Sequence, residues 1–317
     1  MSDAPTADAT VAPEVPVTAG THEHVGADGT RDVANAEAVI TARNVHIEYE
    51  VDPVAVRAVR GVDLTVYRGE ILGLAGESGC GKSTLAYGLN RLLKAPALMT
   101  EGEVTFHDRT DGVDTDIDVL ALDGDQLRAF RWDKISMVFQ GAMNSLNPVI
   151  KIRKQLFDVF TTHRPGMTDD AMEERSRELL ELVGVDPDRI NSYAHELSGG
   201  MRQRVMIAMA LALEPQLMIM DEPTTALDVV VQRDIIREIM RLREIFGFAV
   251  IFITHDLPML LEISDRVAIM LEGQIVERGT AHQIYTNAQH DYTKKLLSSF
   301  PSLTGERGSF VRGGEDL

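Results

Sequence analysis

Cysteine is almost missing from this sequence. Cys80 is the single one among 317 residues, so no intrachain disulfide can form and no cysteine-held zinc or iron–sulfur cluster can be built. A chain so poor in thiols fits a reducing compartment. Basic residues are also short, with Lys plus Arg at 31 against Asp plus Glu at 49, a formal net charge of −18. Nucleic-acid backbones need basic patches, so this balance argues against nucleic acid as a main partner, while leaving room for a local basic site. Long apolar runs are absent too. The best one, VMIAMALAL at residues 205–213, stops at Glu214 and Pro215, well short of the ~20 residues a membrane span needs. The N-terminal residues hold no basic stretch followed by an apolar core, so no secretory signal is expected. If this protein acts on a membrane, other chains must cross it.

What remains is an ordinary globular composition, 44% hydrophobic and 25% charged, in a length that suits one large or two small domains. Residues 1–36 are rich in Ala, Thr, Pro, Asp and Glu without an apolar period, which predicts a disordered acidic tail. Strand content begins near Ala38 and recurs at residues 59–70. Residues 71–75 (ILGLA) read as a buried strand, and residues 83–93 as a helix. The acidic run at residues 108–118 reads as a solvated loop between strands. Further strands are expected at residues 134–140, 217–220 and 249–254, and a last hairpin around Glu272 and Gly273. Helices are expected at residues 168–183, opened by a Thr168 cap and stopped by Gly184, and at 229–245. Another is expected from His282 to Phe300. Strands alternating with helices predict an α/β fold with a parallel core.

Gly76, Glu77, Ser78, Gly79, Cys80, Gly81, Lys82 and Ser83 fit G-x-x-x-x-G-K-[ST] in full, with a strand before and a helix after. Glycines there let backbone N–H groups wrap a phosphate, helped by the dipole of the following helix. Lys82 is expected to reach the β- and γ-phosphates and Ser83 to ligate Mg²⁺. The strand at residues 217–220 ends in Asp221 and Glu222. Asp221 is expected to hold Mg²⁺ through water, and Glu222 to orient and deprotonate the attacking water. Gln140 follows a strand and offers its amide to Mg²⁺ or to that water. His255 also follows a strand and can donate to a γ-phosphate. Ser198, Gly199 and Gly200 open another helix, a second anion-binding device. One nucleotide is already enclosed by residues 76–83, so this one suggests a contact to a second molecule.

Together these residues resemble the nucleotide-binding subunits of ATP-binding cassette (ABC) transporters over about residues 38–301. LSGGMRQR at 197–204 matches the family's signature, residues 76–83 its Walker A and 217–222 its Walker B. Gln140 falls at the Q-loop, residues 225–228 with Asp228 at the D-loop, and His255 at the switch histidine. Thr84 follows the Walker A run, and Tyr49 falls where an aromatic residue stacks on adenine. The resemblance implies a P-loop NTPase core of the ABC ATPase type with an antiparallel β subdomain, a helical signature subdomain and a short C-terminal extension. It sets a nucleotide-binding domain at 37–280, its helical part near 141–213, and the extension at 281–317. It further implies a head-to-tail dimer in which each ATP lies between one chain's Walker A and the other chain's signature. Glu222 would be the catalytic base.

QGAMNSLNP at 140–148 and HDYTKKLLSSFP at 290–301 resemble segments of oligopeptide and dipeptide importers. Such systems imply a second ATPase subunit, copy or paralogue, two transmembrane permeases and an extracytoplasmic solute-binding protein, with this chain on the cytoplasmic face of the membrane. Gly141 and Asp291 depart from the pattern, which has an acid and a proline there. The C-terminal segment also lacks the cysteines that some relatives use for an iron–sulfur cluster. Two other readings share the chemistry. A soluble ABC-type ATPase acting on DNA or the ribosome fits poorly with one acidic cassette lacking a long heptad insertion. An exporter subunit fits poorly with the two importer-type segments.

Overall fold

The computed structural model describes residues 36–50, 54–110, 112–141, 145–225 and 227–299. Residues 1–35 of the expected tail, residues 142–144 of the QGAMNSLNP segment, residue 226 of the expected D-loop and residues 300–317 lie outside that set.

Two sheets organise the chain. The first is antiparallel, built from β1 (Ala38–Tyr49), β2 (Val56–Tyr67), β4 (Ala97–Thr110) and β5 (Val113–Asp118) in the order β2-β1-β4-β5. The second contains β3 (Ile71–Ala75), β6 (Ile135–Val138), β7 (Leu217–Asp221), β8 (Ala249–Ile253), β9 (Arg266–Leu271) and β10 (Gln274–Thr280), in the order β10-β9-β3-β8-β7-β6. Strands β9, β3, β8, β7 and β6 pair in parallel, and β10 turns back antiparallel on β9.

The parallel strands are almost wholly apolar, Ser136 in β6 and Arg266 at the start of β9 being exceptions, because both faces are covered. Side chains alternate between two cores. Ile71, Met218, Met220, Val250 and Phe252 face the helices, whereas Leu72, Leu74, Ile219, Ile251 and Ile253 face the antiparallel sheet. The helical face carries α3 (Ile152–His163), α4 (Asp169–Leu182), α5 (Gly199–Leu211), α6 (Val229–Phe246) and α7 (Leu257–Ile263). Helix α1 (Lys82–Leu89) belongs to the other core, through Leu85, Ala86 and Leu89. Thr168 caps α4 by accepting from Ala171 N, and Gly184 follows its end at φ +68°.

Three expectations change. The helix after the glycine loop ends at Leu89, four residues early. Arg91 takes φ +51°, Leu92 N donates to Tyr87 O at 2.7 Å and Arg91 N to Gly88 O at 3.0 Å. This is a Schellman ending with arginine where glycine is usual. Arg91 holds it by donating to the carbonyls of Val119, Leu120 and Leu122. The acidic run is not a loop but an exposed hairpin, β4–β5, in which cross-strand pairs offset part of its charge. Asp114 and Asp116 meet Arg109, Asp116 meets His107, and Asp108 meets Lys134. The C-terminal helix is two helices, α8 (Ala281–Asn287) and α9 (Asp291–Ser298). Glu277 breaks it by accepting from Gln289 N at 2.6 Å and His290 N at 3.1 Å. Helix α2 (Gly124–Asp133), opened by Asp123, has no counterpart in the sequence reading.

Candidate functional site

Strands β3, β8, β7 and β6 are neighbours and run the same way, so the segments that follow them emerge along one edge of the sheet. In parallel α/β sheets that edge is where ligands bind. The glycine loop follows β3, His255 follows β8, Glu222 follows β7 and Gln140 follows β6.

The loop's backbone requires glycine at two points. Gly76 has φ +149°, and a Cβ there would lie 2.2 Å from Met270 O of β9. Gly81, at φ +107° ahead of α1, would place one 2.3 Å from Ala58 O of β2. The loop is therefore pressed against both sheets. Lys82 is buried, and its ammonium donates to Gly76 O at 2.8 Å and Glu77 O at 2.9 Å, with Cys80 Sγ 3.6 Å away. Ser78 and Gly79 are exposed.

Ser83 Oγ, in the first turn of α1, donates to Asp221 Oδ1 at 3.0 Å. Asp221 is fully buried at the end of β7, where the Tyr87 hydroxyl neighbours it, and among the described residues its Oδ2 makes no close hydrogen bond. Burial pushes this carboxyl above the ordinary carboxylate range; the Ser83 hydroxyl works against that shift and the charge of Glu222 adds to it.

Glu222 points elsewhere. Its φ of +46° is rare for a residue with a side chain, and its N–H donates to Ile253 O of β8 at 2.9 Å. The turn swings its carboxylate toward the ends of β6 and β8. There Gln140 Nε2 donates to Oε2 at 2.9 Å, Thr225 Oγ1 donates to the same oxygen at 2.9 Å, and His255 Nδ1 lies 3.5 Å from Oε1. Residues from three strand ends thus converge on one carboxylate, next to the one that Ser83 touches.

Tyr49, at the end of β1, places its hydroxyl 3.2 Å from Thr84 Oγ1 of α1, which brings the expected adenine platform to the phosphate-loop helix. Ser198 caps α5, accepting from Met201 N, and Asp228 caps α6, accepting from Val231 N. Gly200 packs on α6 so closely that a Cβ would lie 2.8 Å from Val231. Among the described residues, no hydrogen bond joins Ser198, Gly199, Gly200 or Asp228 to the phosphate loop. The chain thus brings together the first group of predicted residues, while the contacts of Ser198, Gly200 and Asp228 lie at the starts of α5 and α6.

The chain matches the ABC transporter family over residues 59–225. It is 41% identical over 268 residues to the oligopeptide transport ATP-binding protein OppD of Bacillus subtilis, an alignment covering 84% of this chain and 72% of that protein.

The chain belongs to the ABC transporter family.

Other members agree. The dipeptide transport ATP-binding protein DppD of the same organism is 40% identical over 270 residues, covering 84% of this chain and 78% of its own. Among solved structures, the dimeric post-hydrolysis state of an ATP-binding cassette bound to ADP and Pi superposes with a TM-score of 0.65 at 30% identity, over 76% of this chain and 98% of that one. The fold is therefore that of the ABC ATPases, and ATP binding and hydrolysis are the activities of the family. No helix among the described residues is long and apolar enough to cross a membrane.

Two groups at this ABC site fell in segments noted in the sequence but were given no role of their own there. Thr225 shares Glu222 Oε2 with Gln140, and Tyr292 of α9 accepts from Glu77 N at 3.0 Å. The DEPTT run hinted at the first. Nothing local announced the second.

Proposed function

We propose that this chain is the ATP-hydrolysing subunit of an importer for oligopeptides, dipeptides or similar small solutes. The observation that carries the reading is the convergence of Gln140, Thr225 and His255 on Glu222, beside the Asp221–Ser83 contact to the phosphate loop. The likeness to OppD and DppD supports the solute class.

The loop of Gly76, Glu77, Ser78, Gly79, Cys80, Gly81, Lys82 and Ser83 wraps the phosphates, with Thr84 at the start of α1, and Tyr49 stacks on the base. Glu222 takes a proton from the attacking water, which the Gln140 amide orients. His255 donates to the γ-phosphate. The oxygen donors around Asp221 suit Mg²⁺: among the described residues Oδ2 is buried without a close hydrogen bond, and the Ser83 hydroxyl adjoins Oδ1. Asp221, Ser83 and Gln140 are the residues that would hold it. Bound there, Mg²⁺ would supply positive charge to offset that of the phosphates.

Ser198, Gly199, Gly200 and Asp228 serve a second ATPase subunit, a paralogue or a copy, across a head-to-tail interface. Two permeases and an extracytoplasmic solute-binding protein complete the assembly, with this chain on the cytoplasmic face. Residues 37–280 form the nucleotide-binding domain, with the helical part near 141–213, and 281–317 form an extension that includes α8 and α9. The test is ATPase activity of the assembled transporter. Stimulation by peptide-loaded binding protein supports the reading. Activity that responds to DNA or ribosomes and ignores the binding protein sinks it.

A further inference from the structure

Helix α9 reaches back to the phosphate loop across 215 residues of sequence, where the Tyr292 hydroxyl accepts from Glu77 N at 3.0 Å. That N–H belongs to the peptide unit whose carbonyl is Gly76 O, and Gly76 O accepts from Lys82 Nζ at 2.8 Å. One peptide at the start of the loop is thus held at both ends. Gly76 by itself holds it weakly, since a residue without Cβ has access to more backbone conformations than any other. The hydroxyl removes the freedom that the glycine brings.

The hydroxyl sits on a firm arm. Tyr292, Leu296 and Leu297 pack against the helical core. Glu277 of β10 accepts from Gln289 N and His290 N just ahead of α9, and His290 Nδ1 accepts from Tyr292 N at 3.2 Å. Strand β10 pairs with β9, and β9 with β3, which runs into the loop. Loop and arm therefore hang from the same strands, and their separation is fixed by the sheet.

We propose that Tyr292 is a positioning residue for the phosphate loop, orienting the Gly76–Glu77 peptide and so setting how tightly the loop holds nucleotide. It touches no nucleotide itself. The C-terminal extension is then part of the nucleotide site and tunes its affinity. The proposal rests on the ATP-binding reading of that loop.

The test is Tyr292→Phe in the full chain, which keeps the ring's packing and deletes only the oxygen. Affinity for a fluorescent ADP analogue should fall roughly three- to ten-fold, the range for losing one neutral hydrogen bond. In the assembled transporter the KM for ATP should rise by a similar factor and kcat should change less. The melting temperature should hold, and the Glu77 amide should exchange faster with solvent. Unchanged affinity and KM overturn the proposal. So does a loss of affinity accompanied by a lowered melting temperature and a matching fall in kcat, the pattern of a residue that only supports the fold. Lys82→Ala separates the two readings. If it binds the analogue as the parent does, the phosphate-loop reading fails; if it does not bind while Tyr292→Phe binds normally, only the role of Tyr292 fails.

Discussion

Gln140 Nε2 donates to Glu222 Oε2 at 2.9 Å, joining the ends of two adjacent strands across 82 residues of sequence. The bond ties the carboxylate proposed as the base to a segment that precedes the helical face of the protein. Glu222→Gln should lower ATP hydrolysis by about 100-fold or more, as expected for a general base, while leaving nucleotide binding nearly intact. Phosphate release and nucleotide affinity, measured side by side, check this. Robust hydrolysis by the variant removes Glu222 from its role.

Gly81 and Gly79 should respond differently to alanine. Both have positive φ, but only at Gly81 would a Cβ meet a backbone atom, Ala58 O at 2.3 Å, whereas nothing lies within 4 Å at Gly79. Gly79→Ala should cost about 1 kcal/mol of backbone strain and keep nucleotide binding. Gly81→Ala should lose binding because the loop must move off β2. Thermal unfolding and nucleotide titration of both variants would decide, and equal behaviour would count against the packing argument.

Stability should depend on pH through Glu70. This residue is fully buried, and burial pushes its carboxyl from 4.5 up to about 7 even though Arg266, at 3.3 Å, pulls the other way. The folded state keeps this proton over a range in which the unfolded chain releases it. The contribution is therefore complete below pH 4.5 and is lost as pH rises to about 7. It amounts to about 3 kcal/mol across that window. Unfolding free energies at pH 5 and pH 7.5 should show a slope that Glu70→Gln reduces. An identical slope in both proteins refutes the assignment.

Ser198 should matter only in the assembly. Ser198→Ala removes a helix cap worth about 1 kcal/mol of stability. Nucleotide affinity of the isolated chain should stay the same, and ATP turnover by the assembled pair should fall. Weakened binding to the isolated chain would place Ser198 in the chain's own site and undo the division between two subunits.

Much of this was legible in the sequence because the signals are local. ILGLA and LMIMDEP are apolar runs ending in glycine or carboxylates, and burial on both faces of a parallel sheet produces that pattern. Thr168 and Gly184 marked their helix ends by capping chemistry alone. Where partners are distant, the pattern misleads. The acidic run is exposed as expected, but it read as a loop because Arg109, His107 and Lys134 pair with it only once the hairpin and β6 are assembled. Arg91 ends a helix in a conformation normally left to glycine, since carbonyls near residue 120 hold its side chain. Tyr292 stood in a segment noted only for likeness to importers, and its contact to Glu77 carries no local trace.

The Lys82 ammonium resting on Gly76 O and Glu77 O bears on which cation the loop can carry. Carbonyls at 2.8 and 2.9 Å suit the compact head of a lysine, whose three donors sit on one nitrogen. A guanidinium spreads its donors over a plane, so Lys82→Arg would push the first peptide of the loop aside rather than replace the charge in place. A positive charge alone does not suffice there; the loop sets its shape.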